Sequence, residues 1–479
     1  MNRISLFLAL FLSITLPAFS QDTNCNCLDN LNKTIEKTEE NYAGFPAKVN
    51  NQNKPKYIQL LTELKQQAIS ESNSKKCYYI IKNYIRFFED KHFILSYSND
   101  KDYDNEMVNY KDDYFKKGIA LKNLKPIEGL WINPDSTLKM AIQKFPNNIY
   151  KGIIVESKDA KFSKGFVYLT LTSKGKDYVA KEYNSFITTD IPAKQKGNLL
   201  QIWNHALWGK VYPDKLNNDE LAELNTWKND NNGLAFKKLN PKTSYLKIPT
   251  FYNNDNKIQQ LISKSDSVIR NTENLIIDLT GNGGGNTGWL SFLPYLITNP
   301  IVQEHTYLRV TPENVKSKLA DLEPFVKNPI PNDYKKYFPE AVLAAYKKAY
   351  KELPVTKEKF YPIPAVTFPL DSAIKYPKKI ALVFDNFCGS STEYFFSLSK
   401  QSKKAIRYGT NTIGMMDYEG MSTPTPLPYN KFILTIPTVK SSWTDKNPID
   451  RTGFKPQVSL NNLPQNKWLS FIMKDLENR

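Results

Sequence analysis

Two stretches of this chain carry residue types and spacings that could do chemistry together. The first is Asn386-Phe387-Cys388-Gly389-Ser390-Ser391-Thr392-Glu393. It follows a buried-strand pattern, Lys379-Ile380-Ala381-Leu382-Val383-Phe384, and precedes a helix-like one, Tyr394-Phe395-Phe396-Ser397-Leu398. A small-residue turn from strand to helix presents a serine hydroxyl at a helix N-terminus. Free backbone N–H groups and the helix dipole favour developing negative charge there. That place suits a nucleophile and half of an oxyanion hole. The plainer reading of either serine is a helix cap. The second stretch is Asn274-Leu275-Ile276-Ile277-Asp278-Leu279-Thr280-Gly281-Asn282-Gly283-Gly284-Gly285-Asn286, a strand ending in a glycine-rich turn. Glycines let backbone N–H groups approach a ligand closely, and such a nest can hold an oxyanion or a phosphate. The G-x-G-x-x-G spacing and a following Gly-Lys-Ser/Thr are both absent, so neither a dinucleotide fingerprint nor a P-loop is expected.

A serine hydroxyl is a weak nucleophile until a base takes its proton, and imidazole is matched to neutral pH. The chain has three histidines, His92, His205 and His305. His92 stands in Phe87-Phe88-Glu89-Asp90-Lys91-His92-Phe93-Ile94-Leu95, just after a helical pattern. His205, close to Trp203 and Trp208, reads as structural, and His305 as a surface residue of a strand. No H-x-x-x-H, H-E-x-x-H or paired C-x-x-C spacing occurs, so a zinc site has little support.

In order and spacing the two turns resemble the tail-specific (C-terminal-processing) serine protease family. Asp278-Leu279-Thr280-Gly281-Asn282-Gly283-Gly284-Gly285 is similar to the family's D-L-R-x-N-x-G-G turn, with Thr280 where arginine is usual. Cys388-Gly389-Ser390-Ser391-Thr392-Glu393 is similar to its T-A-S-A-x-E turn. Gly409-Thr410-Asn411-Thr412-Ile413-Gly414-Met415 lines up with G-E-R-T-x-G-K, and Pro448 to Val458 with the E-G-x-G-V-x-P-D-V ending. The resemblance spans about residues 215–465. It implies Ser390 as nucleophile and the backbone N–H groups of Gly284 and Ser391 as oxyanion donors.

Met415 stands where the bacterial branch has its general-base lysine, and methionine cannot take a proton. The resemblance then points to the tricorn-core branch, with the lineage of interphotoreceptor retinoid-binding protein. There a histidine from the N-terminal region, in a D-x-H-x motif, serves the serine. Asp90-Lys91-His92-Phe93 fits that motif. The late carboxylate that orients the histidine falls on Asp450, one methylene shorter than the usual glutamate, and Asp90 is the substitute. This implies an exported serine endopeptidase with a Ser-His-Asp triad acting on polypeptides, with no metal and no organic cofactor. The same family includes retinoid binders, so the alternative is a catalytically inactive module for peptides or lipophilic ligands.

Several elements must position these groups. Met1 to Ser20 reads as a secretory signal, with Arg3 before an apolar run and Ala18-Phe19-Ser20 at its end, which implies a periplasmic or extracellular protein. No later run is long enough to span a bilayer. Residues 21–120 form an expected helical segment carrying His92, ending in a polar linker from Ser96 to Lys117. Residues 121–212 alternate as a small antiparallel sheet or barrel, opening on a lipocalin-type Gly129-Leu130-Trp131. A G-L-G-F-like PDZ loop is not found. Residues 213–479 alternate strand and helix. The expected fold is therefore an α/β protease core (α+β, mixed sheet with helices) with an N-terminal helical segment and an inserted small antiparallel β module. Residues 300–370, rich in Pro, Lys and Tyr, form an insertion between the two turns. It reads as helical from Pro312 to Leu353 with breaks at Pro324, Pro329 and Pro331, and as a candidate lid. The net charge of +17 is scattered lysine without an arginine-rich arm, so nucleic acid is not expected as a partner. Oligomeric state is not legible. Of Cys25, Cys27, Cys77 and Cys388, Cys77 is the expected disulfide partner of Cys25 or Cys27, and Cys388 is expected to be buried and free.

Overall fold

The computed structural model describes residues 25–97, 106–110, 124–183, 190–332, 335, 338–370, 372–421 and 424–479. The expected signal at 1–20 and most of the linker at 96–117 lie outside the described residues.

The N-terminal segment is helical because its apolar residues recur at helical spacing and asparagines cap its ends. Asn26 accepts the N–H of Asp29 and opens Cys27–Asn41; Asn73 accepts the N–H of Lys76 and opens Ser74–Arg86. Leu31, Ile35, Tyr57, Leu64, Ile81, Tyr84 and Ile85 form one core with Phe88, Phe93 and Phe432 of the later chain. A Cys27–Cys77 disulfide, with Cα atoms 5.3 Å apart, ties the first long helix to the last. The two alternatives for Cys77 thus resolve to Cys27, and Cys25 is a buried free thiol.

Residues Gly129 to Tyr212 close into a barrel of consecutive antiparallel strands, with Ala206–Tyr212 returning to pair with Gly129–Ile132. Alternation fills its inside. In Val167–Lys174 the buried residues are Val167, Leu169 and Leu171. Trp131, Met140, Ile142, Ile154, Leu200 and Trp208 pack with them, so the interior is a core.

The rest is built on a six-stranded sheet in the order Ala235–Lys238, Thr243–Lys247, Asn274–Asp278, Lys379–Phe384, Ala405–Gly409 and Val458–Ser459. Only the first pair is antiparallel. The central strands are unbroken apolar runs, as parallel strands covered on both faces require. This is the mixed α/β architecture expected.

The insertion does form helices, Pro312–Lys327 and Glu340–Glu352. Pro324 lies inside the first of them rather than ending it. The insertion is docked on the N-terminal segment. Asn314 Nδ2 donates to the Asn41 carbonyl at 3.0 Å, Thr311 Oγ1 to Asn41 Oδ1 at 2.7 Å, and Glu313 pairs with Lys37. These contacts tie the insertion to the segment that carries His92. Among the described residues no helix is long and apolar enough to cross a membrane.

Candidate active site

The glycine turn and the nucleophile turn leave the carboxyl ends of two adjacent parallel strands, Asn274–Asp278 and Lys379–Phe384. Open α/β sheets place their sites at such ends. Ser390 has φ +52° and ψ −126°, a backbone state that L-residues rarely adopt. Such a sharp strand-to-helix turn throws a serine Oγ outward above the sheet. The helix Ser391–Ser399 follows at once, and the Ser391 N–H is among the amides that a helix start leaves without an intrahelical acceptor. The Ser391 hydroxyl, by contrast, is buried without a hydrogen-bond partner.

His92 arrives from the far end of the chain. Its loop leads into Ile94–Tyr97, which pairs antiparallel with Phe432–Thr435 of the later chain. Asp90 Oδ1 accepts the His92 backbone N–H at 2.8 Å, and Asp90 Oδ2 accepts the Tyr42 hydroxyl at 2.7 Å. Phe88 and Phe93 pack around Tyr42 with ring centroids 5.3 and 5.2 Å away. The imidazole Nε2 then lies 3.0 Å from Ser390 Oγ. The two residues are 298 positions apart in sequence. Burial is the largest influence on His92 and lowers its pKa from 6.5; the Tyr418 carbonyl and the Asp450 charge act in the opposite direction.

The carboxylate expected to orient His92 is not on its ring. Nδ1 lies 3.0 Å from the Tyr418 carbonyl oxygen instead. Asp450 Oδ2 accepts Lys48 Nζ at 2.8 Å, and its Oδ1 is buried with no partner. The backbone N–H groups of Ile449 and Asp450 are both held by Asp417 Oδ2 at 2.8 Å, which fixes the aspartate on a short side chain away from the ring. Its influence on His92 is coulombic. Asp90 also serves the His92 backbone rather than its imidazole.

Gly284 is placed as the resemblance implies, but its N–H is occupied. It donates to Asn282 Oδ1 at 3.0 Å, and the same oxygen accepts Thr392 Oγ1 at 2.8 Å. Gly284 has φ +98°, and a Cβ there would lie 2.6 Å from Ser390 Cβ and 3.0 Å from Ser391 N. Glycine is therefore required where the two turns touch.

Met415, in the lysine position, is buried and packs its Sδ against Gly389, where a Cβ would meet it at 2.6 Å. Glu393 holds that segment. Its carboxylate accepts Thr412 Oγ1 at 2.5 Å, Gly414 N–H at 2.7 Å and Met415 N–H at 2.8 Å. Burial pushes the Glu393 carboxyl up to about 7. Cys388 is buried, donates its thiol to the Leu279 carbonyl at 3.1 Å, and has its pKa pushed well upward by burial, which disfavours the reactive thiolate. His205 sits in a barrel turn 2.8 Å from Glu182, and His305 is exposed. Among the described residues no group of His, Cys, Asp and Glu could hold a metal.

Sequence reading missed the barrel's part. Trp203 Nε1 donates to the Phe387 carbonyl at 2.9 Å, and its ring covers Gly283, where a Cβ would meet it at 2.5 Å. Lys194 Nζ donates to Asp385 Oδ2 at 2.6 Å. Lys194, in the strand Ile191–Lys196, is buried although a lysine in a short strand carries no sequence signal of burial.

Residues 242–460 match the family model described as Peptidase family S41. The match holds both turns and Ser390, while His92 lies outside it. Among curated proteins none matches the chain. A crystal structure of mature CPAF is 14% identical, covers 94% of this chain and 96% of its own, and superposes with a TM-score of 0.52. Mature CPAF complexed with lactacystin gives 14%, 94%, 97% and 0.51 in the same terms. The photosystem II D1 C-terminal processing protease is 11% identical over 92% of this chain and 93% of its own, with a TM-score of 0.38. The CPAF likeness is one of fold, and it runs over nearly the whole chain. The family match, over residues 242–460, supports a serine-type peptidase, a class whose substrate is a polypeptide.

Proposed function

We propose that the protein is an exported endopeptidase in which Ser390 is the nucleophile and His92 the general base. The observation that carries this reading is the 3.0 Å separation of His92 Nε2 and Ser390 Oγ. A backbone carbonyl only accepts, so the Tyr418 contact places the neutral ring's proton on Nδ1. The Nε2 lone pair then faces the hydroxyl. Ser390 attacks the scissile carbonyl as His92 takes its proton. The oxyanion forms against the Ser391 N–H at the helix start. His92 returns the proton to the leaving amine, and water releases the acyl group by the reverse of these steps. Asp450 stabilises the imidazolium through space, so the triad is Ser390, His92 and Asp450 without a hydrogen bond to the carboxylate. Met415 favours an inactive module only if no other base is present, and His92 supplies one. Export rests on the leader-like residues 1–20.

The test is digestion of an unfolded polypeptide by the mature chain and by Ser390→Ala. Cleavage by the first and none by the second supports the reading. Equal cleavage, or none by either while both bind peptide or lipid, overturns it.

A further inference from the structure

We propose that Asp385 is a positioning residue for both catalytic turns at once, and that Lys194, reaching out of the barrel, holds it in that place. The proposal rests on the reading of Ser390 as nucleophile and deepens it.

Asp385 directly follows the strand Lys379–Phe384 and is 1% exposed. Its Oδ1 accepts two backbone N–H groups, Gly281 at 3.0 Å and Phe387 at 3.0 Å. Gly281 belongs to the glycine turn and Phe387 to the nucleophile turn. One oxygen atom thereby fixes the separation of two loops that lie 104 residues apart across Gly281 and Asp385. Its Oδ2 accepts Lys194 Nζ at 2.6 Å, from a lysine side chain only 7% exposed. Burial is the largest single influence and opposes the carboxylate, but Lys194, the Gly281 N–H and the Lys247 charge together hold the carboxyl below its usual range. The ammonium also lies 4.2 Å from the Phe387 ring centroid. Trp203 adds a second tie from the barrel to the same two turns.

The relation of the turns decides the chemistry. A Cβ on Gly284 would meet Ser390 Cβ at 2.6 Å, so the nucleophile and the glycine turn are in direct contact. A misplacement of about 1 Å there can cost on the order of a hundredfold in rate. The barrel supplies the only cation bonded to the bridging carboxylate among the described residues. Asp385 touches no substrate and takes no proton in the reaction.

The experiment compares two double variants of the full mature chain, Asp385→Asn/Lys194→Met and Asp385→Ala/Lys194→Met. Neither leaves a lone buried charge. The amide keeps an acceptor for both N–H groups, and alanine keeps none. We expect kcat on a peptide to be about tenfold or more lower in the alanine pair than in the asparagine pair, with KM within about threefold. Backbone hydrogen exchange at Gly281 and Phe387 should accelerate together in the alanine pair. A purely structural role would move the thermal midpoint while leaving kcat equal below it, so kcat values within about threefold overturn the proposal. Should the alanine pair not fold, exchange in the wild type decides: both amides protected supports the bridge, and rapid exchange at either refutes it. If the wild type cuts no peptide, the peptidase reading fails separately, and the exchange comparison still judges the bridge.

Discussion

His92 Nδ1 lies 3.0 Å from the carbonyl oxygen of Tyr418, and this contact with a backbone group sets which ring nitrogen carries the proton. A carboxylate in that place would both fix the tautomer and share the imidazolium charge. Here the two tasks are separated. Tyr418 fixes the tautomer, and Asp450 contributes only field. The removal of Asp450 should therefore cost less than the removal of His92. Asp450→Asn should lower kcat by roughly tenfold, against about three orders of magnitude or more for His92→Ala. Steady-state kinetics of the two variants checks the ranking, and equal losses would mean that Asp450 bonds the ring during the reaction.

The pH profile carries a sign. Burial lowers the His92 pKa below 6.5, so the active, neutral ring persists to more acid pH than free imidazole allows. The acid limb of kcat/KM should fall below pH 6.5. In Asp450→Asn it should move further down, because the charge that favours the imidazolium is gone. A limb above that of free imidazole would contradict the assignment.

Stability should run the other way. Burial raises the carboxyls of Asp90, Glu393 and Glu419 to about 7, and that of Asp417 to about 6. A carboxyl raised on folding stabilises the fold fully below its unfolded pKa of about 4, and that stability is lost as pH rises through the folded value. His92, shifted downward, opposes this by one group only. The thermal midpoint should be higher near pH 5.5 than near pH 8, roughly the span in which these carboxyls ionise.

Met415 is not a neutral replacement for the lysine. Buried against Gly389, it fills the wall behind the nucleophile turn. Met415→Ala should cost about 2–5 kcal/mol in denaturant unfolding. Glu393→Gln should cost about 1–3 kcal/mol, since an amide cannot accept from Thr412, Gly414 and Met415 with both of its heavy atoms.

The Cys27–Cys77 disulfide closes a separation of 50 residues in the segment that delivers His92. Its removal should cost roughly 2–4 kcal/mol. Non-reducing peptide mapping should recover that one linked pair, with Cys25 and Cys388 as free thiols; four free thiols would refute it.

The parts of the site that depend on local chain were legible in the sequence. A strand, a small-residue turn and a helix start announce Ser390. A helical segment followed by Asp90-Lys91-His92 points to the histidine that the fold brings 3.0 Å from Ser390. The alternating apolar residues of 121–212 announce a small antiparallel sheet or barrel, and the structure closes it into a barrel. What escaped reading depends on groups brought together across the fold. The Tyr418 carbonyl belongs to the backbone and has no sequence signature. Lys194 and Asp385 are 191 positions apart, and each alone looks like a surface charge. Gly284 matches its motif, yet the neighbouring Asn282 takes its N–H. Pro324 reads as a break in sequence, but the helix Pro312–Lys327 runs through it.

The central claim is that His92 activates Ser390. It is tested most directly by the rate of covalent labelling with a fluorophosphonate in the wild type and in His92→Ala, with the adduct located by mass spectrometry. The account predicts an adduct on Ser390 and a rate about three orders of magnitude lower without the imidazole. An adduct on Ser391 or Cys388, or labelling of Ser390 at an undiminished rate in His92→Ala, would contradict it.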